Sequence, residues 1–342
     1  MSAGERAPTC ARAIVSTPQR AQADRRPRAQ ACARAFTPAW IASTGPALAL
    51  VTACGAAQAH ATGSGTDPFS LAAVEPWVVA CLVLSAALYA LGLRRLWRRA
   101  AGGRGVIARR ALSFAAGWLL LAVALLPPLD PLGTQLFWGH MVQHELLMIG
   151  AAPLLVLGRP LGLWAWGLPR RWRRAGGRMF HAPLWRGPWK VVTAPLGAGL
   201  LHAVVLWVWH VPALFDAALV HPAVHVTQHI AFLAGALLYW WSVLGSAARA
   251  RQGIALLSLF TTMVHTGALG ALLTLASTPW YPPYLATTAA YGLEPLQDQQ
   301  LGGLVMWVPA SLAYLGAALW LAARWISPVR PRQVHRLPTA PC

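Results

Sequence analysis

Seven apolar stretches, each close to the length a helix needs to cross a bilayer, leave this 342-residue chain few folds to choose from. They run over approximately 76–93, 111–128, 136–157, 191–210, 223–244, 254–276 and 303–323. A hydrocarbon core of about 30 Å takes about 20 apolar residues as helix. Backbone groups in lipid must be paired within the segment itself, so a single-chain span of this kind is helical. The expected fold is therefore all-α, a polytopic membrane helix bundle of seven transmembrane helices. Composition agrees, at 57% hydrophobic and 11% charged residues, against about 25% charged in a soluble domain.

The connecting segments set the orientation, because short cytoplasmic loops collect Lys and Arg. Residues 94–110 hold seven, 158–190 eight, 245–253 two and 324–342 four, whereas 62–75, 129–135, 211–222 and 277–302 hold none. This puts the N-terminus of the membrane domain outside and the C-terminus in the cytoplasm. Residues 1–35 carry seven arginines without apolar periodicity, and 36–61 are small and apolar, ending in Ala57-Gln58-Ala59-His60-Ala61. Two A-x-A patterns after a basic leader read as a cleaved export signal. The expected organisation is a presequence over 1–61, a membrane domain over 62–325 and a cytoplasmic tail over 326–342. The net charge of +19 belongs to this topology and excludes a nucleic-acid partner, since the arginines alternate with apolar runs rather than forming one basic face. Trp beside Arg in 158–190 is the ordinary anchor at the lipid interface. Five cysteines without a C-x-x-C pair announce neither a disulfide scaffold nor a thiolate metal site.

An ionisable residue inside a span is costly and marks function, so the histidines carry the most information. His140 and His144 lie four apart on one helical face, and His221, His225 and His229 repeat that spacing into the fifth stretch. With the orientation above, His140 and His144 lie about 6 and 12 Å below the outer surface, and His225 and His229 about 3 and 9 Å below it. His210 leaves the fourth stretch at the same surface, with His202 and His265 near the midplane. Imidazole suits copper, zinc and iron, and thioether selects Cu(I). A thiol-free cluster of His140, His144, His210, His225 and His229, with Met306 as an assisting thioether, is thus suited to copper. Asp216 reads equally as a cap for the short helix after Pro212.

Several runs resemble one family. His140-Met141-Val142-Gln143-His144-Glu145 with Ala152–Pro160, Trp209–Ala218, the His221…His225…His229 series ending in Tyr239-Trp240-Trp241, and Asp298–Trp307 are together similar to the CtaG-type cytochrome c oxidase assembly factors. The resemblance covers residues 70–325. It implies a seven-span protein of the bacterial plasma membrane, required to form active haem-copper oxidase and serving copper insertion into its externally facing subunit II. Oxidase subunits, a periplasmic copper chaperone and membrane lipid are then the expected partners.

The expected role is accessory rather than enzymatic, because no nucleophile–base pair, phosphate loop or paired carboxylates are present. Cu(I) would be captured at a shallow, exposed site and released outward. An alternative is a redox protein holding b-type haem between His202 and His265. A transporter is disfavoured, since the inner halves of the spans carry almost no ionisable residue.

Overall fold

The computed structural model describes residues 74–99, 104–181, 183–245 and 249–327. The expected presequence and nearly all of the expected tail lie outside the described residues. Helices α1 (Pro76–Arg99) and α2 (Arg104–Leu125) are followed by a short α3 (Leu129–Gln135) and by α4 (Phe137–Gly158). The basic segment then folds as α5 (Pro160–Gly167), α6 (Arg170–His181) and α7 (Pro183–Val192). Next come α8 (Pro195–Trp209), α9 (Pro212–Val220), α10 (Pro222–Leu244), α11 (Arg249–Thr274) and α12 (Pro295–Ile326), with two 3-10 turns between the last pair. No strand occurs among the described residues.

Five helices, α1, α2, α4, α11 and α12, are long and apolar enough to cross a membrane. The fourth stretch expected from sequence is the 15-residue α8, and the short helix expected after Pro212 is α9, which follows it at a bend of 71° and passes as a crossing only together with it. Pro212 opens the second half, and the residue before a proline is pushed out of helical geometry; Val211 is accordingly extended. Helix α10 spans 23 residues, but Thr227, Gln228, His225 and His229 make it less apolar than the five. Asp216 is not a cap, because α9 starts at Pro212 with Val211 before it and no side-chain cap bond. Cys81 of α1 is disulfide-bonded, which the cysteine spacing does not announce.

Helix α4 packs against α2, α3, α10 and α12, and two devices fix it. At its start, the Asp298 carboxylate of α12 accepts the Phe137 and Trp138 backbone N–H groups at 2.7 and 3.1 Å. These are donors that an α-helix leaves unpaired in its first turn, and the flanking Leu136 has no side chain to cap them. Midway, Leu146–Ala151 widens into a π-turn, and the Trp240 indole N–H of α10 donates to the Met148 carbonyl at 2.8 Å.

Small residues let α11 and α12 cross closely, the usual way that apolar helices approach in lipid. At Gly303 of α12 an added Cβ would fall on Thr274 Oγ1 and 2.7 Å from the Gly270 carbonyl oxygen. At Gly270 of α11 it would lie 2.8 Å from Trp307 Cβ. On the basic side, Arg95 donates to the Trp166 and Gly167 carbonyls closing α5, at 2.6 and 3.1 Å, and the Arg173 guanidinium lies 4.9 Å from the centre of the Trp166 ring.

Two outcomes are expected in thermal unfolding of detergent-solubilised protein. Gly303→Val destabilises by about 1–3 kcal/mol through overpacking, whereas Gly316→Ala, where a Cβ meets nothing within 4 Å, leaves the melting curve unchanged. Asp298→Ala removes two charge-assisted bonds and destabilises by about 1.5–3 kcal/mol; a melting curve matching the wild type would show that the cap contributes nothing.

Candidate metal centre

The four-residue spacing on α4 and α10 does what helix geometry requires and stacks each histidine pair on one face. His140 and His144 have ring centres 4.3 Å apart, as do His225 and His229. Packing of α4 on α10 brings the two faces together, with 5.4 Å between His140 and His225, 5.8 Å between His140 and His229, and 5.5 Å between His144 and His229. One ligand nitrogen from each of His140, His225 and His229 lies within 4.8 Å of the other two. An ion at the ordinary metal–imidazole distance of about 2.0–2.1 Å needs nitrogens about 3.4–3.6 Å apart, so modest ring rotations close the triad. His210 ends α8 with its ring 6.0 Å from His144. Met306 is buried in the main apolar core and not in the triad, and His221 is exposed at the start of α10.

Several of these nitrogens lack any other use. Both nitrogens of His144 and the Nε2 atoms of His210, His225 and His229 are buried without a hydrogen-bond partner. Buried polar atoms are normally paired, so five orphan nitrogens on adjacent rings mark a place where a positively charged, electron-accepting species would fit. His140 is held differently. Its Nδ1 lies 3.3 Å from the Gly133 carbonyl, which also accepts from the Tyr284 hydroxyl at 2.8 Å. Donation from Nδ1 leaves the lone pair on Nε2, beside the Gln228 side-chain amide, whose NH2 group and not its oxygen is what such a lone pair can accept from. An outer bond of this kind fixes tautomer and ring orientation for a metal ligand.

The surroundings include residues that the sequence did not single out. Gln143 donates to the Ala124 carbonyl and to Asp130 Oδ1, both at 2.8 Å. Burial pushes the Asp130 carboxyl up, while the His225 ring and the Gln143 amide pull it down. A carboxylate thus faces the triad from α3, outside the spans. Over the top, Tyr281 donates to the His210 carbonyl at 3.0 Å and Thr287 to the Gln135 carbonyl at 2.6 Å. Tyr281 also packs on Phe215 and Phe137, with ring centres 4.2 and 5.0 Å apart. Gln143 and Gln228 were visible as amides flanking His144 and His229 in apolar helices; Asp130 and the tyrosines gave no such signal.

The expectation of an exposed site is not met. His140 is 0% and His229 8% exposed and His225 is half-buried, because α9 and the α11–α12 loop close over one end of the cluster. His202 and His265 also come together, with ring centres 6.2 Å apart. The Tyr239 and Tyr314 rings lie 5.1 and 6.5 Å from His202, and neither of the two principal cavities is lined by either histidine. Nothing there favours a haem.

Comparison with known proteins adds a family. The family model described as cytochrome c oxidase caa3 assembly factor (Caa3_CtaG) matches residues 87–327. Uncharacterised proteins of Mycobacterium bovis and Mycobacterium tuberculosis are each 27% identical over 248 residues, covering 69% of this chain. The chain spans only 36% of the length of those relatives. No solved structure matches it. With most of its helical region inside the family match, the chain belongs to the cytochrome c oxidase caa3 assembly factor family.

Proposed function

We propose that this protein is a seven-span factor of the bacterial plasma membrane, with its N-terminus outside, that holds Cu(I) as cargo on His140, His225 and His229 and aids its insertion into subunit II of a haem-copper oxidase. The observation that carries the reading is the triad itself, three imidazoles from two helices whose nitrogens lie within 4.8 Å of one another, in a member of an oxidase assembly family. Neutral imidazoles without thiolate suit copper and zinc, and Cu(I) accepts the three-nitrogen set without further ligands. His144 and His210 continue the row of unpartnered nitrogens inward and supply donors for ligand exchange. Asp130 offsets part of the ion's charge, and Gln228 and Gly133 keep His140 in its donating orientation. The role is accessory rather than catalytic, and a periplasmic copper chaperone is the proposed donor.

The seven-span count adds α10 and the bent α8–α9 pair to the five long helices. The arginine distribution supports placing the α11–α12 loop and α3 outside and the α5–α7 segment in the cytoplasm.

Metal content of protein purified in mild detergent tests the site. Loaded with Cu(I), the wild type is expected to retain copper through gel filtration. The His140→Ala/His144→Ala and His225→Ala/His229→Ala variants should lose affinity by more than the about 10–100-fold that losing an outer partner of a ligand costs. Variants that bind as the wild type does would sink the triad. Orientation is tested with single cysteines in a chain lacking its own: Ser277→Cys is expected to react with an impermeant maleimide in spheroplasts, and Arg104→Cys only after lysis. The reverse pattern would invert the topology.

A further inference from the structure

His202 of α8 and His265 of α11 are left over by the reading above. His202 is buried, His265 half-buried, and all four of their ring nitrogens are buried without a hydrogen-bond partner. Orphan nitrogens on one buried ring can be a packing accident; two adjacent rings with none satisfied need a shared partner. The 6.2 Å between ring centres limits what that partner is. A direct N–H···N bond would bring the centres to about 5.1 Å, from a nitrogen separation of about 2.9 Å and about 1.1 Å within each ring. One ion between two imidazoles requires about 6.3 Å, from two bonds of about 2.0–2.1 Å and the same ring distances. The observed spacing is too long for a direct bond and leaves room for one bridging species, an ion or a water, between the rings.

We propose that His202 and His265 form a second metal site, a two-imidazole site near the middle of the bundle that takes Cu(I). The donor set is two neutral nitrogens, with the Tyr239 and Tyr314 rings beside His202. Zinc completes a tetrahedron of ligands, which two histidines in this apolar setting do not supply, whereas Cu(I) is satisfied by two donors in line. Neutral imidazoles bind it without releasing a proton. His202 lies eight residues before His210 on the same helical rod, about 12 Å along its axis. The two sites therefore cannot share one ion, and the inner one stands whether or not the outer triad binds.

X-ray absorption on Cu(I)-loaded, full-length protein in detergent tests this, using a variant with the outer cluster removed (His140→Ala/His144→Ala/His225→Ala/His229→Ala). That variant is expected to keep one copper with the sharp pre-edge feature of linear two-coordinate Cu(I), two nitrogen neighbours and no sulfur. Adding His202→Gln/His265→Gln should abolish that copper, while the same pair in the wild-type background removes one equivalent and leaves the outer copper. If the outer-cluster variant retains no copper while its metal-free melting curve matches the wild type, or holds copper with sulfur or three nitrogens, the inner site is overturned. If the outer-cluster variant does not fold, the His202→Gln/His265→Gln protein alone decides: one fewer equivalent sustains the proposal, and an unchanged copper count with an unchanged spectrum overturns it.

Discussion

In hydrocarbon a polar side chain finds a partner only within the protein, and the arrangement around α4 follows from that constraint. Its histidine face cannot meet lipid, so α10 lays a matching face against it, and the Gly133 carbonyl of α3 takes up Nδ1 of His140 while the Gln228 side chain of α10 lies against Nε2. The apolar core repeats the pattern with Trp240 on the Met148 carbonyl and Tyr239 on the Ser258 carbonyl. Most of the unpartnered buried side-chain atoms among the described residues are histidine nitrogens, and they lie on neighbouring rings.

The cluster is precise because its supports come from distant parts of the chain. Asp298 caps a helix that begins 161 residues earlier, so the depth of His140 and His144 is tied to α12 and not to α4 alone. The π-turn divides α4 into two halves: the first packs on α12 and α3, and the second on α2 and α10. Gly270 and Gly303 hold α11 close to α12 and thereby keep the Asp298 end of α12 in place.

Much of this was legible in the sequence. Apolar length announced the long helices, and the spacing of His140, His144, His225 and His229 announced which side chains share a face, because both are properties of a single helix. What one helix cannot encode was missed. The burial of the cluster, the role of Asp298 and the approach of Asp130 to His225 all depend on how separate segments meet. The pairing of His202 with His265 was foreseen as a geometry, but the tyrosine rings packed beside His202, which lend no support to the haem reading, required the packed structure.

The roof over the outer cluster has a kinetic meaning. Tyr281, Tyr284, Thr287 and Tyr291 fasten the α11–α12 loop with hydrogen bonds to His210, Gly133 and Gln135, each contributing about 0.5–1.5 kcal/mol net. Opening the roof then requires about 2–6 kcal/mol before any ligand bond is broken. An ion held there as proposed would be guarded by time rather than by tightness. Its dwell would be set by how often the loop lifts, and a docking partner competing for those four hydroxyls would shorten the dwell without touching a single histidine.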